Sequence, residues 1–126
     1  LETEARLVLA KSLIADGRWE EALPDIEALS EDTHTPQGAE AKYLLAQHWY
    51  DTNDDARAIA LLEDYAAKGT PHAYWLARSF ILWADIYIRQ DDPAQARIYL
   101  QSLQTNYRGK DDDIPAMITT RLESLK

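Results

Sequence analysis

Acid–base or metal chemistry at neutral pH needs imidazole, thiol or paired carboxylates at defined spacings, and this chain offers few candidates. Its three histidines are His34, His48 and His72. They are scattered along the chain without the short i, i+4 or i, i+3 spacing that sets two rings on one metal. His34 lies between Thr33 and Thr35, but none of the three histidines has the arrangement of an activated nucleophile. Cysteine is absent, which excludes disulfides, thiolate catalysis and cysteine-based zinc sites. Gly17, Gly38, Gly69 and Gly109 are too far apart to form a phosphate-cradling loop. Asp111, Asp112 and Asp113 are consecutive, without the alternation and glycine of a calcium loop. They read as a linker into a last helix. The expectation is a chain with no catalytic residues, no metal and no cofactor.

The charge points the same way. The formal net charge is −9, so the chain repels phosphate backbones and nucleic acid is not an expected partner. The acidic pairs Glu31-Asp32, Asp54-Asp55, Glu63-Asp64 and Asp91-Asp92 read as solvated loops and helix N-termini, where carboxylates cap and meet the helix dipole. No apolar run approaches the roughly 20 residues of a membrane helix, so no membrane insertion is expected. At 126 residues the chain is read as one domain, 1–126. It opens on Leu1, without a signal-peptide pattern, and is read as an excised or processed piece of something longer.

The elements that must position any site declare themselves through alanine. Ala10 pairs with Ala22, Ala46 with Ala58 and Ala84 with Ala96, each twelve residues apart, and the pairs recur at steps of 36 and 38 residues. A period of that length marks stacked helical units, none of which buries its apolar face alone. Apolar residues recur at three and four: Leu9-Leu13, Leu45-Trp49, Trp83-Tyr87 and Ile59-Leu62. Helices are expected over about Glu2–Ala15, Arg18–Ser30, Gln37–Thr52, Asp54–Lys68, His72–Gln90, Pro93–Tyr107 and Pro115–Leu125. Thr35-Pro36, Thr70-Pro71 and Asp92-Pro93 each read as a capping side chain before a proline at the first helical position. Gly17, Gly69 and Gly109 read as left-handed C-terminal caps. Pro24 falls inside the second helix and predicts a kink or a displaced start.

With this register in place, the chain resembles the tetratricopeptide repeat family over roughly Thr3 to Tyr107. In that family a small residue on one helix meets a small residue on the next, as the alanine pairs would. Leu9, Leu45 and Trp83 fill the large apolar position before the first alanine. Leu13, Trp49 and Tyr87 fill the position three after it. Ile26, Leu62 and Leu100, then Leu29, Tyr65 and Leu103, match the core of the second helix. The steps exceed the family period of about 34 residues. Arg6 and Lys42 stand where an early aromatic is usual, and only Phe80 fits there. The glycine between helices survives as Gly17 and becomes Asn53 and Asp91 in the later units. Both of these tolerate left-handed backbone.

The resemblance implies an all-α, right-handed α-solenoid of three such helix hairpins, about 3–38, 39–76 and 77–110, with a capping helix at about 115–125. It also implies a non-catalytic scaffold for protein–protein interaction, whose concave groove takes a peptide or protein segment. The groove positions carried over are Leu7, Lys11 and Ile14, then Tyr43, Gln47 and Tyr50, then Arg78, Ile81, Asp85 and Ile88. An extended segment or an amphipathic helix with spaced apolar anchors would match this mixed wall. The paired Lys and Asn residues with which one subset of the family clamps a C-terminal carboxylate are missing. The aromatics of the fifth helix (Phe80, Trp83, Tyr87) are expected in the core, with Tyr74 and Trp75 left partly exposed. Self-association through the open ends, making a homo-oligomer, is one alternative. Another is an accessory role in a larger envelope or secretion protein. The look of the units is similar to the C-terminal repeat regions of bacterial multi-repeat proteins, which implies the periplasm or cell envelope over the cytoplasm.

Overall fold

A computed structural model describes residues 2–109 and 111–126. Leu1, from which processing was inferred, and Lys110, the expected end of the third repeat, lie outside the described residues. Among the described residues there are seven helices and no strand: α1 (Thr3–Ala15), α2 (Trp19–Ser30), α3 (Pro36–Asp51), α4 (Asp55–Lys68), α5 (Ala73–Arg89), α6 (Pro93–Asn106) and α7 (Ile114–Ser124). They fall into two compact units, Leu1–His72 and Ala73–Lys126.

In the first unit α1 packs on α2, α2 on α3, α3 on α4, and α1 also touches α3. Ala10, Ala22, Ala46 and Ala58 are all fully buried, which is where small residues allow close helix approach. The core gathers Leu7, Ile26, Leu29, Ala41 and Leu45, with Leu13, Trp19, Leu44 and Trp49 packed against it. Thr35 caps α3, its hydroxyl accepting from Gly38 N–H at 2.9 Å. Asp54 caps α4, accepting from Arg57 N–H at 3.1 Å. Asn53 has φ 63° and Gly17 φ 76°, the left-handed turns that let each helix reverse into the next.

Two loops of this unit are tied together. Thr33 Oγ1 donates to the Gly69 carbonyl at 2.8 Å, and Thr70 Oγ1 donates to the Thr33 carbonyl at 2.6 Å. His72 Nε2 lies 2.9 Å from the His34 carbonyl. This corrects the expected role of Thr70. Its hydroxyl is engaged by Thr33 and by the His72 N–H instead of capping, and α5 begins only at Ala73.

In the second unit α5 packs on α6, and α7 packs on both. Its core joins Ala77, Ile81, Ala84, Ala96 and Leu100 to Ile114 and Ile118 of α7. Asp92 caps α6 over Pro93, accepting from Gln95 N–H at 3.3 Å.

Other expectations need correction. Leu9 fills the large apolar position before Ala10, yet it is 54% exposed beside Val8 at 67%. Its counterpart Leu45 is buried because α2 covers that face of α3. Gly109 does not take left-handed backbone. Helix α6 ends at Tyr107 in extended geometry, and the Tyr107 ring lies 2.5 Å from where a Cβ of Gly109 would sit, so this glycine supplies room. Pro24 does not displace the start of α2, which runs unbroken from Trp19 to Ser30.

Candidate protein-interaction surface

The residues expected to line a groove divide by burial. On the first unit, Leu7 (7% exposed) and Tyr43 (6%) point mostly inward, Leu7 into the shared core of α1, α2 and α3. Lys11 is exposed, while Ile14, Gln47 and Tyr50 are half-buried. The polar members make two hydrogen-bonded sets. Lys11 Nζ on α1 donates to Glu40 Oε2 on α3 at 2.6 Å. Along α3, Tyr43 Oη–H donates to Gln47 Oε1 at 2.9 Å, and Gln47 Nε2 donates to Asp51 Oδ1 at 2.8 Å. The i, i+4 spacing of Tyr43, Gln47 and Asp51 makes this ladder possible on one helix face. Its rungs hold the Gln47 and Asp51 groups in fixed positions at the surface.

Glu40 and Asp51 are members that the sequence reading missed. The i, i+4 step from Gln47 to Asp51 was legible in advance. The partnership of Lys11 with Glu40, on another helix, was not.

On the second unit the expected residues are engaged by α7 and the loop before it. Ile81 (1% exposed) packs with Ile114 and Ile118, and Ile88 packs against the same cluster. Asp85 accepts two hydrogen bonds from Arg121. Arg78 Nη1 donates to Tyr74 Oη at 3.1 Å and lies 3.5 Å from Asp113 Oδ2. Tyr74, expected to be left partly exposed, is half-buried, donating to Asp113 Oδ1 at 2.8 Å, with the likewise half-buried Trp75 edge-on to its ring.

The electrostatics of these groups favour holding over reacting. Burial pushes the Tyr65 phenol up to about 12, and its hydroxyl donates to the Ala39 carbonyl. Burial, followed by the Asp112 carboxylate it donates to, likewise pushes Tyr107 up to about 12. Burial also raises Tyr74. These phenols stay protonated at neutral pH and act as donors, not bases. His48, stacked on Trp19 at 4.1 Å and beside Trp49, is shifted down by burial, with Asp51 partly opposing. Among the described residues no three His, Asp or Glu side chains converge to hold a metal, and no helix is long and apolar enough to cross a membrane.

Comparison with known proteins adds one match. A family model described as tetratricopeptide repeat covers residues 7–80. Neither the curated proteins nor the solved structures yield a match. The matched stretch contains both alanine pairs of the first unit and the opening of the third repeat, over more than half of the chain, and repeats of this kind generally mediate protein–protein interaction. This chain belongs to the tetratricopeptide repeat family.

Proposed function

We propose that this protein is a non-catalytic interaction module that holds a partner's peptide or helix against the α1–α3 face of its first unit. The observation that carries this reading is the Tyr43–Gln47–Asp51 hydrogen-bonded ladder on α3, together with the Lys11–Glu40 pair between α1 and α3, on a unit that also leaves Ile14 and Tyr50 half-exposed. Preset donors and acceptors next to apolar area lower the ordering cost of binding an extended segment or an amphipathic helix. The corresponding positions of the second unit, Arg78, Ile81, Asp85 and Ile88, are occupied by internal contacts, so they contribute support to α5 rather than a free wall. The net charge of −9 disfavours nucleic acid as the partner.

The test is affinity capture from the source cell with mass spectrometry. The native chain would be compared with a Lys11→Glu, Gln47→Lys variant whose folding is checked by circular dichroism. Both side chains reach solvent, so the variant should fold. Proteins held by the native chain and lost by the variant support the reading. Identical retention by both chains rules this face out.

A second reading, self-association through the α1 end, has its own observation. Val8 and Leu9 are exposed where their counterparts Leu44 and Leu45 on α3 are covered by α2. Light scattering at two concentrations decides it. A concentration-dependent mass that Val8→Lys with Leu9→Lys abolishes would favour the dimer, and a constant monomer mass would exclude it.

A further inference from the structure

Leu45 and Trp49 of α3, Leu23 of α2 and Leu61 of α4 line an open hollow of ≈ 490 Å³ in the first unit. Leu45 belongs to the buried core and the other three pack against it, so the apolar lining is held in place. Two charged side chains stand in the same lining, Glu27 on α2 and Arg57 on α4. They lie toward opposite ends of it. The Arg57 guanidinium sits over the Trp49 ring, 4.6 Å from its centroid, and the adjacent His48 is stacked on Trp19 at the start of α2. Glu27 follows Trp19 by just over two turns of α2, about 12 Å along its axis. Neither charge is satisfied inside the fold. The Glu27 carboxylate has no hydrogen bond or ion pair among the described residues, although its backbone carbonyl takes the Ser30 hydroxyl. Arg57 has one ionic neighbour, Asp54, with Nε 3.5 Å from Oδ2, and its side chain is 64% exposed. Each charge also occupies the helix end that disfavours it. Arg57 stands in the first turn of α4 and Glu27 in the last turn of α2, against both helix dipoles. Local rules broken in this way are characteristic of functional positions.

We propose that this hollow is a second docking site, which takes a short extended segment of a partner protein bearing one carboxylate, one cation and a large apolar side chain between them. Charge complementarity identifies the occupant. The carboxylate meets Arg57, whose planar guanidinium is oriented by the Trp49 face and suits a two-point contact. The cation meets Glu27 at the far end. The apolar side chain enters between them, over Leu45, in a hollow large enough for it and its flanking backbone. Residues three apart in an extended chain are separated by about 10 Å, which matches the spread of the two charges. A phosphate backbone would pair with Arg57 and be repelled by Glu27, so the two charges together select a segment of mixed sign. None of the polar residues of the α1–α3 face lines this hollow, so the two proposals stand or fall separately.

The experiment is NMR of the whole chain titrated with the capped peptide Gly-Glu-Leu-Ser-Lys-Gly. Three analogues accompany it: one with Glu at both charged positions, one with Lys at both, and one with Ser in place of Leu. The mixed-charge peptide should shift the amides of Glu27, Arg57 and Leu61 and the Trp49 indole N–H, with a Kd on the order of 1 mM. Each like-charged analogue should bind about threefold more weakly, a gap that closes in high salt. The analogue without Leu should leave these signals in place. Arg57→Glu makes the hollow wholly acidic and should turn its preference to the Lys/Lys peptide. Glu27→Arg makes it wholly basic and should turn the preference to the Glu/Glu peptide. Both substitutions put a charge where the helix dipole favours it, so both variants should fold, as circular dichroism checks. Equal shifts with all four peptides, or an unchanged order of preference in the two variants, overturn the proposal. Shifts that free leucine reproduces at lower concentration than the peptides assign the hollow to a small molecule and also overturn it. Shifts that follow protein concentration without peptide assign it to a second copy, with the same consequence.

Discussion

Arg121 on α7 grips Asp85 on α5 through two parallel hydrogen bonds, Nε to Oδ1 at 2.7 Å and Nη2 to Oδ2 at 3.0 Å. Each side chain is about three-quarters buried. The fork-to-fork geometry fixes the rotation of α7 as well as its distance, which a lysine in the same place would not do. Below it, Ile114 and Ile118 complete the core around Ile81. The closing helix is therefore seated by an apolar stripe and oriented by one ion pair.

Arg121→Ala removes both bonds and leaves the largely buried Asp85 carboxylate without its partner, so it should lower stability by about 1–3 kcal/mol. Arg121→Lys should recover only part of this loss. Urea unfolding measures the change, and hydrogen exchange at Ile114 to Ile118 locates it. A loss under about 0.5 kcal/mol with unchanged exchange would mean that the apolar stripe alone seats α7.

Gly38 marks the closest approach of the α2–α3 loop to α3. A Cβ there would stand 1.8 Å from the Asp32 carbonyl oxygen and 2.7 Å from that of Leu29, both backbone atoms that cannot swing aside. Gly38→Ala should cost about 1–3 kcal/mol, at the upper end of overpacking, and lower the melting temperature. Gly17→Ala, with open space around it but φ 76°, is the control. It should cost about 1–2 kcal/mol through the left-handed backbone alone. If Gly38→Ala melts with the native protein, the loop does not sit as described.

Lys42, buried inside the first unit, donates to Asp64, which Lys68 also approaches at 3.2 Å. The hydrogen bond from Lys42 is the main cause that holds the Asp64 carboxyl below its ordinary value. A carboxyl whose folded value is depressed contributes stability that is present above its unfolded value and lost as pH falls through the folded one. Native protein should therefore lose stability below the ordinary carboxylate range more steeply than Asp64→Asn. Melting temperatures between neutral pH and acid compare the two, and parallel curves would remove Asp64 from the acid response.

His48 gives the opposite residue type with the same sign. Burial between Trp19 and Trp49 lowers its value below the usual 6.5, with Asp51 partly opposing. The unfolded chain then takes up the proton first. The contribution of the neutral ring is complete above the unfolded value and is lost as pH falls toward the folded one. An NMR titration should find His48 protonating below the usual 6.5, with the emission of Trp19 changing in step. A His48 titration at or above the usual 6.5 would contradict the stacked, partly dry ring.

The six alanines, the helix spans and most caps were legible in the chain because they rest on local rules. A small residue every repeat, an apolar step of three or four, and Thr or Asp before proline act within one turn or one helix pair. All six alanines are fully buried, and Thr35, Asp54 and Asp92 cap as spacing requires. Asn53 and Asp91 take the left-handed turn that a glycine would. Thr70 escaped the same rule because its hydroxyl finds Thr33, 37 residues away, a partner no local pattern specifies.

What the sequence determined by itself is the kind of protein: an all-α repeat chain of the tetratricopeptide type, acidic and free of thiol chemistry. Only the tertiary structure decided which of its surfaces are free. Leu9 and Leu45 occupy one register position, yet one faces water and the other is buried, because α2 packs beside α3 and no described helix covers that side of α1. Asp85 and Gln47 are likewise related, and a distant arginine claims the first while the second stays on an open face. Periodicity is a property of each helix and can be read from it. Burial depends on a neighbour that arrives from elsewhere in the chain, and only packing supplies it.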